Sequence, residues 1–159
     1  MDSPLKPIPD DYHSLTPRLS VRDAARAIEF YKNAFHAREL SRQTGLGGRI
    51  LRAELRVGDS VFLVVEESSE AGVPSPQSLG GTPVALYLYV PDAAAAFVRA
   101  RLAGARVRRP LTETFWGDRC GQIGDPFGHV WDLAERRQSL TPAQMQERAQ
   151  GHGAQPAAL

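Results

Sequence analysis

"LSVRDAARAIEFY" (19–31) and "LYVPDAAAAFVRA" (88–100) share the pattern L-x-V-x-D-A-A-x-A, with Leu19 answering to Leu88 and Asp23 to Asp92. In each copy a strand-like start gives way to helical spacing at an aspartate, which predicts a strand running into a helix, twice. Asp23 and Asp92 supply the helix caps, and Pro91 closes the second strand just before its cap. Ala24, Ala27, Ile28, Tyr31 and Phe35 recur at helical spacing in the first copy, as do Ala93, Ala96, Phe97 and Ala100 in the second. Both stripes are predicted core.

Beyond each helix the chain returns to strand patterning. "ARELSR" (37–42), "RILRAELRV" (49–57) and "VFLVVE" (61–66) follow the first, with Gly58-Asp59-Ser60 as a turn. "ARVRRPL" (105–111), "DRCGQI" (118–123) and "HVWDLA" (129–134) follow the second, the last two joined by "GDPFG". V-G-D at 57–59 and I-G-D at 123–125 extend the repeat. Each half therefore reads strand, helix, strand, strand, strand. The expected organisation is one domain over 8–138, with a first module at 13–66, a Ser/Pro/Gly-rich linker at 67–82 and a second module at 83–134. Residues 139–159 form a C-terminal helix, capped by Thr141 with Pro142 in its first turn, and a frayed tail from Gly151.

The chain has 159 residues, 42% of them hydrophobic, which suffices for one shared core. A formal net charge of +1 gives no field to attract nucleic acid or an acidic membrane. Cys120 is the single cysteine, so no intrachain disulfide or thiolate zinc cluster forms. The start "MDSPLKPIPDDYH" lacks the basic and apolar regions of a signal peptide, and no segment approaches a membrane-spanning run. The expected compartment is the cytoplasm.

Taken together, "LSVRDAARAIEFYKNAF", "AELRVGDSVFLV", "SPQSLGGTPVALYLYV" and "FWGDRCGQIGDPFGHVWDL" resemble the vicinal oxygen chelate superfamily of glyoxalases, bleomycin-resistance proteins and extradiol dioxygenases, and within it the PhnB-like branch. The resemblance implies an α+β fold in which two βαβββ modules form an incomplete barrel around a cavity, and a homodimer. The hydrophobic strand "VFLVVE" is expected to lie at a sheet edge that needs covering, consistent with a dimer.

The resemblance also implies one divalent metal held from four strands, at positions corresponding to Thr16, Glu54, Ala85 and Asp132. Thr16 is a poor neutral ligand and Ala85 is none. Arg52 and Tyr87 stand where many relatives carry histidines. His13, His36 and His152 lie outside the predicted strands, and His129 is expected to point away from Asp132. No cofactor is therefore expected, with a divalent metal as the alternative.

Strand alternation turns Leu15, Pro17, Leu19, Val21, Leu51, Ala53, Leu55, Val57, Leu86, Leu88 and Val90 toward the core. It leaves Thr16, Arg18, Ser20, Arg52, Glu54, Arg56, Ala85, Tyr87 and Tyr89 toward the cavity. Glu54 and Asp132 then have two readings: neutralised by Arg18, Arg52 or Arg56, or, for Glu54, a general base or an acceptor for a ligand amine. Phe115, Trp116 and Arg119 form a lip that joins Tyr87 and Tyr89 as a wall for a planar or cationic organic ligand. Asp125, Pro126 and Gly128 read as turn chemistry, and Cys120 as an inert thiol.

The leading expectation is a small-molecule binding protein of the bleomycin-resistance type, holding an aromatic metabolite or antibiotic without the usual metal. The alternatives are a glyoxalase-like lyase, isomerase or thiol transferase using Glu54 and Asp132, and an accessory protein acting through a partner surface.

Overall fold

The computed structural model describes residues 5–152. They comprise eight strands and four α-helices in two compact units that divide after Gly81.

In the first unit β1 (Arg18–Val21) leads into α1 (Ala24–Phe35), followed by β2 (Arg38–Thr44), β3 (Ile50–Val57) and β4 (Ser60–Glu66). Their order across the sheet is β1-β4-β3-β2, with β1 parallel to β4 and the other pairs antiparallel. Asp23 caps α1 by accepting from Arg26 N–H, as its place in the repeat predicts. The helix buries Ala24, Ala27, Ile28, Tyr31 and Phe35, and Tyr31 meets Phe62 of β4 edge to face at 5.4 Å. Leu19, Val21, Ala53, Leu55 and Val64 complete this core. Gly58 takes φ 57° in the turn between β3 and β4, a conformation that its missing Cβ permits.

The second unit repeats the plan with β5 (Ala85–Tyr89), α3 (Ala93–Leu102), β6 (Arg106–Glu113), β7 (Asp118–Gly124) and β8 (Val130–Arg136), in the order β5-β8-β7-β6. Asp92 caps α3 through Ala95 N–H. Phe97 of α3 lies over Gly121 of β7, where an added Cβ would come within 2.8 Å of its ring. The glycine thus sets how closely helix and sheet approach. Among the described residues the strands make two four-stranded sheets and no closed barrel.

Several expectations need correction. β4 lies between β1 and β3, so "VFLVVE" is an interior strand; the edges of its sheet are β1 and β2. A run apolar on both faces suits a central strand, and the edge argument for a dimer falls with it. Leu15 precedes β1 and is 86% exposed, and Leu51 is also exposed. The segment between the two units contains α2 (Pro76–Leu79), capped by Ser75. α4 (Pro142–Gly151) carries a reciprocal capping box between Thr141 and Gln144. The expected frayed tail lies outside the described residues from 153 onward, while Gly151 closes α4.

Candidate functional site

Each sheet covers one face with its helix and leaves the other to residues of different chemistry. On the first sheet Arg52, Glu54 and Arg56 alternate with the buried Ala53, Leu55 and Val57, as strand periodicity predicts. Arg52 Nη2 donates to Glu54 Oε1 at 3.0 Å and to Tyr12 Oη at 3.5 Å. Arg56 turns instead to Asp11, at 3.2 Å. Arg18 is exposed at the start of β1. Of the three arginines considered as partners for Glu54, the structure thus supplies Arg52. Burial, more than any neighbouring charge, raises the Tyr12 phenol above its ordinary pKa.

The open face of the second sheet is aromatic. Tyr87 and Tyr89 stand two residues apart on β5, 44% and 60% exposed, with ring centroids 5.2 Å apart. Both hydroxyls reach across the sheet to Asp118 Oδ2, at 3.0 Å from Tyr87 and 2.7 Å from Tyr89. The Trp116 indole N–H donates to the same oxygen at 3.0 Å and to Tyr87 Oη at 3.2 Å. Phe115 packs edge-on against Trp116 at 4.8 Å. Asp118 is only 3% exposed, so one buried carboxylate gathers the polar tips of three aromatic rings. Burial is the largest influence raising both tyrosine pKa values; the hydrogen bond to Asp118 pushes the same way at each, while the Trp116 bond opposes it at Tyr87. Both rings therefore keep their phenolic protons.

The loop that carries this arrangement is braced by its own backbone. Thr114 and Asp118 exchange bonds: Thr114 N–H and Oγ1 donate to the Asp118 carbonyl, and Asp118 N–H donates to Thr114 Oγ1. Gly117 has φ 95° between them, which lets the Trp116 and Asp118 side chains meet. Its carbonyl accepts from Arg137 and Gln138 N–H, both at 2.9 Å.

Beside the cluster, Asp132 faces Gln122 across β7 and β8. Gln122 Nε2 donates to Asp132 Oδ1 at 3.0 Å, and Arg109 Nη2 stands 3.5 Å from the same oxygen as an ion pair. Cys120 lies on this face too, and burial first, then the Asp132 and Asp118 charges, raise its thiol pKa against the opposing Tyr87 bond. That environment disfavours a thiolate nucleophile. Arg119 alternates with Asp118 and Cys120 along β7 and so belongs to the opposite face from Tyr87 and Tyr89. Asp118, Thr114, Gln122 and Arg109 were not anticipated from sequence. The available signal was an aspartate at the head of a strand in phase with Cys120 and Gln122.

The positions implied for a metal can be tested against these contacts. Thr16 lies before β1 with its hydroxyl donating to the His13 carbonyl, and Ala85 offers no donor atom. Glu54 is held by Arg52, and Asp132 by Gln122 and Arg109. Register adds a further mismatch: Glu54 pairs with Leu63 on β4, whereas Asp132 of β8 pairs with Gln122 of β7. In the first module the strand position matching Asp132 is therefore Leu63, and Glu54 matches Gln122. No group of three or more His, Cys, Asp or Glu that could hold a metal occurs among the described residues. This donor set does not fit a divalent cation.

A cavity of about 630 Å³ opens beside the linker, lined by Glu67, Val73, Pro74 and Ser78 among others. Glu67 accepts from Ser75 N–H, Ser78 Oγ and Arg22 Nε. The group best able to read a ligand there already serves to hold α2 in place.

The Glyoxalase/Bleomycin resistance protein/Dioxygenase superfamily model matches residues 13–133. Uncharacterized protein Rv0887c of Mycobacterium tuberculosis is 44% identical over 145 residues, covering 88% of this chain and 85% of that protein. The structure of the Arabidopsis thaliana At5g48480 gene product is 33% identical with TM-score 0.65, over 78% of this chain and 99% of that one. TioX from Micromonospora sp. ML1 is 28% identical with TM-score 0.62, over 78% of this chain and 98% of that one.

Proposed function

Because the chain belongs to the glyoxalase/bleomycin resistance protein/dioxygenase superfamily, we propose that it is a small-molecule binding protein of the bleomycin-resistance type. Its ligand is a flat aromatic metabolite or antibiotic, held and released without chemical change. The observation that carries this reading is the convergence of Tyr87, Tyr89 and Trp116 on Asp118, which fixes three rings beside one another while leaving ring surface accessible. Aromatic surface with a few fixed polar groups is the usual make-up of an organic-ligand site. Phe115 extends the wall, and Arg18, Arg52 and Arg56 belong to the first sheet.

Catalysis through Glu54 is the less favoured reading, since its carboxylate is occupied by Arg52. A titration of Trp116 fluorescence with planar aromatic antibiotics, followed by chromatography of the recovered ligand, tests the proposal. One equivalent bound and returned intact is expected. Catalytic conversion that disappears in Glu54→Gln would overturn it. A homodimer belongs to the same proposal, and light scattering that finds only a 17.4 kDa species would remove that part.

A further inference from the structure

A carboxylate as buried as Asp118 is ordinarily matched by a cation, because a desolvated charge is costly when its partners are neutral. Asp132, on the same sheet face, follows that rule through Arg109. Asp118 does not: its side-chain partners among the described residues are two phenols and an indole. Arg136 sits opposite Asp118 in the β7–β8 register and its charge reaches Tyr89, yet it is exposed, makes no ion pair with Asp118 and donates from Nη2 to Ser139 Oγ at 3.0 Å.

The direction of the hydrogen bonds adds a second constraint. Each tyrosine has one hydroxyl proton, and both are committed to Asp118 Oδ2. The Trp116 proton is shared between that oxygen and Tyr87 Oη. What these groups retain for an incoming molecule is acceptor capacity, chiefly the lone pairs of Tyr89 Oη, since Tyr87 Oη is also engaged by Trp116 and Cys120. The rings themselves offer negative faces. Donors are spent inward and acceptors remain outward, beside a negative charge without an ionic partner.

We infer that the aromatic face of the second module selects a planar organic cation bearing N–H donors, such as a protonated aromatic amine or an amidinium, over a neutral or anionic molecule of the same shape. This rests on the binding reading above and narrows it to a ligand class. The ring lies against Tyr87, Tyr89 and Trp116, and the cationic N–H groups meet Tyr89 Oη above Asp118.

Three probes sharing one ring distinguish the possibilities: naphthylmethylammonium, naphthylmethanol and naphthoate, titrated into the full chain by calorimetry. The Trp116 indole N–H, identified by its loss in Trp116→Phe, is followed by NMR. The ammonium is expected to bind on the order of tenfold tighter than the alcohol, with naphthoate weakest. Asp118→Asn should bring the ammonium down to the affinity of the alcohol. Tyr89→Phe, which keeps the ring and removes one outward acceptor, should weaken the ammonium more than the alcohol even if Asp118→Asn fails to fold. Equal affinities with a shifted Trp116 signal would overturn the cation preference and leave the aromatic-ligand reading standing. Tighter binding of naphthoate would do the same. No response at Trp116 to any probe would remove both.

Discussion

At the scale of single residues, the second module depends on positions where the alternatives are few. Gly117 combines φ 95° with a backbone neighbour, the Gln138 carbonyl oxygen, 2.9 Å from where a Cβ would sit. Gly117→Ala therefore has to shift the loop that presents Trp116 and Asp118, at about 1–3 kcal/mol by denaturant unfolding. The change in Trp116 fluorescence should exceed that of a surface substitution such as Arg148→Ala. Glu67 makes a second prediction. Hydrogen bonds from Ser75 and then Ser78 hold its pKa at about 2, against an ordinary 4.5. A lowered carboxyl pKa contributes stability that is present above about pH 4.5 and lost as pH falls toward 2. Glu67→Gln should remove that portion of the acid limb, seen as a smaller fall in melting temperature between those pH values than in the unmodified chain. An unchanged acid limb would mean that the network carries no linkage.

At the scale of elements, helices and strands follow from local rules that can be read directly. Asp23 and Asp92 recur in the repeat because each has the same task of capping a helix, and Asp92→Ala should lower stability by about 1 kcal/mol in equilibrium unfolding. Gly121→Ala tests the fit of α3 on β7: with Phe97 at 2.8 Å and the Leu111 backbone nitrogen at 3.0 Å, overpacking of about 1–3 kcal/mol is expected, and no loss would show that α3 can move outward freely. Alternation along single strands was legible for the same reason, and it placed Arg52, Glu54, Tyr87 and Tyr89 on the open faces. Strand order was not. "VFLVVE" is apolar on both sides whether it ends a sheet or sits within one, and only the long-range pairing with Arg18–Val21 distinguishes the two. Asp118 was illegible for a related reason: besides Trp116 nearby, its partners are Tyr87 and Tyr89, some thirty residues earlier, and no spacing rule connects them.

At the scale of the whole molecule, the two units share one ladder and carry unlike surfaces. Tyr87 and Asp132 occupy the register positions held by Arg18 and Leu63 in the first unit, so one plan carries an aromatic, acidic face in one copy and an arginine-rich face in the other. The helix α4 buries no residue, and its links to the second unit include the contact of His152 with Phe115 at 6.0 Å. Removing residues 141–159 should leave aromatic-ligand affinity within about twofold and cause a small loss of stability, since exposed elements contribute little burial. Lost binding after this truncation would assign the helix to the site and favour the partner-surface reading. No helix of the described residues is long and apolar enough to cross a membrane.

The parallel pairing of each module's first strand with its fourth has a consequence for how the chain is made. Arg18 meets Leu63 and Ala85 meets Val130, so every strand pairing among the described residues is completed inside its own half. A growing polypeptide has all the partners of its first sheet once Glu66 has left the ribosome, and nothing synthesised later is needed to close that sheet. The apolar strand β4 thereby spends little time without neighbours during translation, a period in which exposed strands are most prone to pair with other chains.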